Sequence, residues 1–151
     1  MAMTLRQNGF SLIELLIVIS VVAIIMAIGI PGYRQYLMRA NRADATAALL
    51  RISAAQERFY LQNGRYAATQ QELEAAPPAG LGTGKTERDF YVLQLQPNAG
   101  GPAVGFIASA TARLGKAQSD DTECWVFMVD ELGQHTAFNQ AGDPNNQRCW
   151  D

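Results

Sequence analysis

The amino-acid sequence predicts an α+β fold: one long N-terminal helix, a four-stranded antiparallel sheet and a C-terminal loop closed by a disulfide. Three observations predict it. An apolar run from Phe10 to Ile30 passes into an amphipathic helical pattern; four strand-like segments follow with no helix between them; and both cysteines, Cys124 and Cys149, lie in the last thirty residues.

From Phe10 to Ile30 there are 21 residues and a single charge, Glu14. At about 1.5 Å of rise per residue the run makes a helix of roughly 30 Å, the thickness of a bilayer's hydrocarbon core. A carboxylate in hydrocarbon costs at least a few kcal/mol, so Glu14 is expected to be paired or functional. The leader before it, Met1 to Gly9, is polar and short, and its small residue precedes the apolar stretch. A general secretory signal has the reverse order. Cleavage after Gly9 would leave the span on the mature chain and expose a new amino group on Phe10, the nearest positive partner for Glu14.

Pro31, between Gly29-Ile30 and Gly32, is expected to kink, melt or bend the helix. Beyond it Tyr36, Ala40, Ala43, Ala47, Leu50, Ala54 and Leu61 recur at spacings of four and three residues, with Glu57 in the remaining place. This pattern predicts a helix to about Gln62, stopped at Asn63-Gly64, with that stripe against a sheet and the arginines solvated. Residues 66–88 are polar and rich in Gly and Pro, a loop with one short helix near 70–75. Strand patterns cover 90–96, 104–114, 124–130 and, after a turn at Asp130-Glu131-Leu132-Gly133, 134–139. In the third, Cys124, Val126 and Met128 alternate with Trp125, Phe127 and Val129. Residues 140–151 have turn chemistry throughout and would be loose without Cys149.

Behind a membrane-inserting segment, Cys124 and Cys149 are read as one disulfide in an oxidising compartment. Closing that loop contributes roughly 3 kcal/mol. Charge is uneven. Residues 10–65 carry six arginines against three acids, residues 66–151 five bases against eleven. A basic stem and an acidic head favour packing between copies and disfavour nucleic acid. Arg34, Arg39 and Arg42 follow the span while only Arg6 precedes it, a count that taken alone places the N-terminus outside.

Gly9-Phe10-Ser11-Leu12-Ile13-Glu14 resembles the prepilin signal of type IV pilins and type II secretion pseudopilins. The resemblance continues through Gln56-Glu57-Arg58-Phe59-Tyr60, Asn63-Gly64-Arg65-Tyr66 and Cys149-Trp150, where it is nearest to PilE-type minor pilins, and weakens over residues 77–120. It implies the type IV pilin fold, a cut between Gly9 and Phe10 by a prepilin peptidase, methylation of Phe10, and Glu14 held for a neighbouring subunit. It implies a leader over 1–9, a membrane-spanning and later fibre-core segment over 10–32, and a head over 33–151. The N-terminus is then cytoplasmic and the chain sits in the inner membrane before entering a pilus at the cell surface. Both the signal and the disulfide outweigh the arginine count. Expected partners are other pilin subunits and the peptidase. The implied function is a structural subunit, of minor type, serving assembly, twitching motility and adhesion; the alternatives are a type II secretion pseudopilin and a DNA-binding pilin for DNA uptake.

Other patterns point elsewhere and are weaker. Ala79-Gly80-Leu81-Gly82-Thr83-Gly84-Lys85-Thr86 resembles a relaxed phosphate-binding loop, but Pro77-Pro78 precede it and a strand pattern follows, where such a loop runs from a strand into a helix. His135 is the only histidine and has no evident Ser or Cys partner, so no enzyme is expected. Asp143-Pro144-Asn145-Asn146 offers oxygen ligands for calcium but reads better as an Asx-Pro turn. No cofactor and no metal are expected.

Overall fold

The computed structural model describes residues 11–150. Helix α1 (Leu12–Asn63) is followed by a one-turn helix α2 (Gln70–Glu74), strands β1 (Tyr91–Pro97) and β2 (Phe106–Ala112), a 3-10 turn (Ala117–Asp120), strands β3 (Val126–Asp130) and β4 (His135–Phe138), and a final turn of helix, α3 (Asn146–Cys149). The chain divides after Leu37 into two compact units.

In the first unit every residue from 11 to 37 is exposed, including apolar side chains such as Leu12 and Ile28, each 76 % exposed. This helix is long and apolar enough to cross a membrane. It does not melt at Pro31: the helix runs through the proline from Leu12 to Asn63. A proline removes one bond and crowds the preceding turn, a local cost that leaves the turns on either side bonded.

In the second unit α1 packs on an antiparallel sheet of order β1-β2-β3-β4. The buried side chains of the helix are Ala45, Ala48, Leu49, Ile52, Ala55 and Phe59. Those of the sheet are Tyr91, Leu93, Leu95, Phe106, Ala108, Ala110, Ala112, Phe127, Val129 and Ala137. The alternation in β1 and β2 is strict, one side chain in two facing the helix. Three alanines on the inner side of β2 give the helix room to approach the sheet closely.

The stripe expected to be buried is on the wrong face. Tyr36, Ala40, Ala43, Ala47, Leu50, Ala54 and Leu61 are all exposed. The buried face also carries Asn41, Asp44 and Gln56, polar residues that broke the apolar pattern. Each is satisfied: Asn41 Oδ1 accepts from Arg88 Nη1, Asp44 accepts the backbone N–H groups of Glu87 and Arg88, and the Gln56 amide exchanges two hydrogen bonds with the Ala67 backbone at 2.8 and 2.9 Å. Gln56 thereby fixes the chain as it leaves the helix.

β1 keeps the length of its pattern, shifted by one residue, while β2 is shorter by two residues at each end and β3 and β4 are each shorter by two residues in all. Val104 and Gly105 bond back to Gly101 in a turn, and Cys124 lies before β3 with its N–H directed at Asp121. Cys124 therefore does not share a face with Val126 and Met128 as expected: it is buried, they are half-buried. The tail is ordered by more than its cysteine. Asn146 Oδ1 accepts from Ala137 N–H, Asn145 donates to the Glu123 carbonyl, and the Trp150 indole donates to the Thr136 carbonyl.

Candidate functional site

Gly9 and Phe10, the predicted cleavage and methylation positions, lie outside the described residues. Glu14 stands in the first turn of α1, exposed, where the unsatisfied N–H groups of the helix favour a negative charge. Around it, Leu12, Ile13, Leu15 and Leu16 are 50–76 % exposed, so the carboxylate is the one charged group on an apolar surface that runs to Ile30.

The predicted disulfide is present, joining Cys124 to Cys149 across 25 residues with Cα atoms 5.6 Å apart. Beside it stands a cluster that no sequence motif announced. Arg42 donates from Nε and Nη2 to the two oxygens of Asp121 at 2.7 and 2.9 Å, and from Nη1 to the Arg148 carbonyl at 3.1 Å. Asp121 also accepts from Gln118 Nε2 and from the Cys124 N–H, so a carboxylate only 2 % exposed is fully solvated by protein donors. Arg42, expected among the solvated arginines, thus ties α1 to the disulfide loop. The pairing joins residues 79 apart in sequence, and only a tertiary fold brings them together.

At the exit of α1, Arg65 pairs with Glu72 at 2.6 Å. Hydrogen bonds from Arg65, the Ala68 N–H and the Thr69 hydroxyl hold the Glu72 carboxyl at about 2. Burial pushes the Tyr91 hydroxyl well above the usual range. His135 lies exposed on β4, stacked on Trp150 with ring centroids 4.2 Å apart. The glycine-rich loop is spent on structure: Leu81, Gly82 and Thr83 donate their N–H groups to the carbonyls of Glu72, Ala75 and Leu73, leaving those donors unable to cradle a phosphate. The Asp143 turn is likewise closed by reciprocal bonds with Asn139, and no metal-holding cluster occurs among the described residues.

A long helix, apolar through its first unit and laid along an antiparallel sheet in its second, with the segment entering β3 tied to the C-terminal turn α3 by a disulfide, is the architecture of type IV pilins. Within that class the chain belongs to the family described as type IV minor pilin ComP, DNA uptake sequence receptor, whose model matches residues 31–128. The prokaryotic N-terminal methylation motif matches residues 4–30. Among relatives, the type IV major pilin PilA of Myxococcus xanthus is 35 % identical over 75 residues, which are 50 % of this chain and 34 % of that one. A type IV major pilin PilE1 of Neisseria gonorrhoeae is 32 % identical over 90 residues, 60 % of this chain and 54 % of that one. This chain therefore spans about a third to a half of the length of the curated relatives it matches. A solved type IV pilin from Shewanella oneidensis is 28 % identical with a TM-score of 0.45, over 65 % of this chain and 89 % of that one.

Proposed function

We propose that the chain is a structural subunit, of minor type, of a type IV pilus. Residues 1–9 are its leader, 10–32 its membrane span and later fibre core, and 33–151 its head. The observation that carries this reading is the helix surface from Leu12 to Ile30, whose large apolar side chains are 43–76 % exposed around one carboxylate. Such a surface needs lipid or other apolar helices, and the carboxylate needs a cation. The membrane supplies the first environment and neighbouring subunits the second. Phe10, freed by cleavage after Gly9, supplies the amine. Pro31 serves as the point at which the helix bends. The N-terminus is cytoplasmic, and the subunit moves from inner membrane to surface fibre, where it serves twitching motility and adhesion.

Two substitutions test the reading together. Gly9→Leu should leave the precursor uncut, seen as a slower band. Glu14→Ala should be processed normally yet lose most surface pili, counted by electron microscopy of sheared fibres. Normal piliation and motility with Glu14→Ala would remove the pairing between subunits.

A second reading, capture of DNA by the head, is favoured by the description of the family as a DNA uptake sequence receptor. The acidic balance of residues 66–151 opposes it, but three exposed cations, Arg39, Arg58 and Lys85, face no acid partner among the described residues. Its signature is duplex binding that weakens steeply as salt rises.

A further inference from the structure

A cleft of about 450 Å³ opens beside the disulfide, between the head part of α1 and the C-terminal turn α3. Its polar lining is Arg39, Arg42, Thr46, Arg148 and Trp150, with no carboxylate among the described lining residues. In a chain whose net charge is -2, three guanidiniums line one concave surface, two of them paired with carboxylates, Arg42 with Asp121 and Arg148 with Glu123.

The three differ in how they are held. Arg42 is fixed by Asp121 and by the Arg148 carbonyl, its side chain only 13 % exposed. These bonds use three of its five N–H donors and leave two. Arg148 makes only a surface pair with Glu123, at 2.9 Å and more than half exposed on both sides, a contact weak enough to exchange for a better acceptor. Arg39 is exposed and has no acid partner among the described residues. One rigid guanidinium between two that are free to turn toward an acceptor suits the tetrahedral oxygens of a phosphate, which guanidinium forks bind bidentately. Cys149 lies in the cleft wall, so the disulfide holds the backbone that carries Arg148 at the cleft.

We propose that this cleft seats a backbone phosphate of duplex DNA. The proposal rests on the DNA-capture reading and names the surface that would carry it. The seat is independent of base sequence, because phosphate contacts fix position while base edges specify.

The test uses the full chain in phosphatidylcholine nanodiscs and a short fluorescein-labelled duplex, read by anisotropy across a salt series. Arg39→Gln and Arg148→Gln should each weaken binding by about tenfold at low salt and lower the salt slope by about one. Arg51→Gln removes the same charge from a position outside the cleft, already paired with Glu87, and should change neither. Glu123→Gln frees Arg148 from its competitor and should tighten binding, a gain that a damaged fold would not produce. If the unaltered chain binds but Arg39→Gln and Arg148→Gln bind as it does, the seat is wrong and DNA capture stands on another surface. If the unaltered chain binds no duplex at any salt, both the seat and the DNA reading fail.

Discussion

Glu72 shows how much a single carboxylate organises in the head. Thr69 caps α2 by accepting the Glu72 N–H, while the Glu72 carboxylate reaches back to the Ala68 N–H and the Thr69 hydroxyl, a close relative of the capping box. Arg65, anchored just past the end of α1, closes the group from the other side. With the folded carboxyl held at about 2, below its ordinary 4.5, the unfolded chain takes up a proton first as pH falls. The contribution is therefore complete above the ordinary carboxylate range and fades as pH drops through 4.5 toward about 2. Glu72→Gln should lower the stability of the head by about 1–2 kcal/mol at neutral pH, discounted for an Arg65 side chain that is 43 % exposed. Urea midpoints of the two chains in detergent should converge near the lower limit of that window. A constant gap at all pH values would show that packing, not charge, carries the effect. The short helix near 70–75 was legible in the sequence. Arg65 as the partner of Glu72 was not, because nothing in the spacing tells a helix-exit arginine from a solvated one.

Helix α1 presents two faces that read alike in sequence, and only one meets the sheet. The exposed stripe through Ala40, Ala47, Leu50 and Ala54 keeps a cleaner apolar period than the buried one, which is interrupted by Asn41, Asp44 and Gln56. Those three are buried because the loops after α1 and before β1 supply their donors and acceptors, a tertiary condition that periodicity cannot carry. The strands were legible because apolar and polar side chains alternate through much of β1 and β2, as in Leu93-Gln94-Leu95-Gln96 and Ala108-Ser109-Ala110-Thr111. Their antiparallel pairing was legible because no long helix separates them. Adjacent leucines separate the two faces experimentally. Leu49 is fully buried and Leu50 is 51 % exposed. Leu49→Ala should cost about 2–5 kcal/mol by removing core volume, whereas Leu50→Ala should stay within about 0.5 kcal/mol of the parent in a monomeric preparation. Equal losses in urea unfolding would overturn the assignment of the buried face.

At the scale of the molecule, the methylation motif and the disulfide lie toward the two ends of the chain, and the sheet gives the C-terminal turn its place. The N-terminal motif was legible because Gly9, Phe10, Glu14 and an uninterrupted apolar run coincide within a short span. The disulfide was legible because only two cysteines exist to pair. What they enclose was not: Arg42, Asp121, Gln118 and Arg148 come from three separate segments and converge only after the sheet has formed. The disulfide acts on that assembly in two ways. It removes freedom from the unfolded chain across a 25-residue loop, worth roughly 3 kcal/mol. It also keeps α3 on β4, where Trp150 stacks on His135 and Asn146 accepts from Ala137. Replacing both cysteines with alanine should therefore lower global stability by about 3 kcal/mol and, before global unfolding, raise amide exchange at Ala137, Asn145 and Trp150 while β2 stays protected. Arg42 would then lose the Arg148 carbonyl but keep Asp121, so the buried ion pair should outlast the loop that covers it. If β2 exchanged as readily as α3 in that variant, the disulfide would be holding the whole sheet to the helix rather than the C-terminal turn alone.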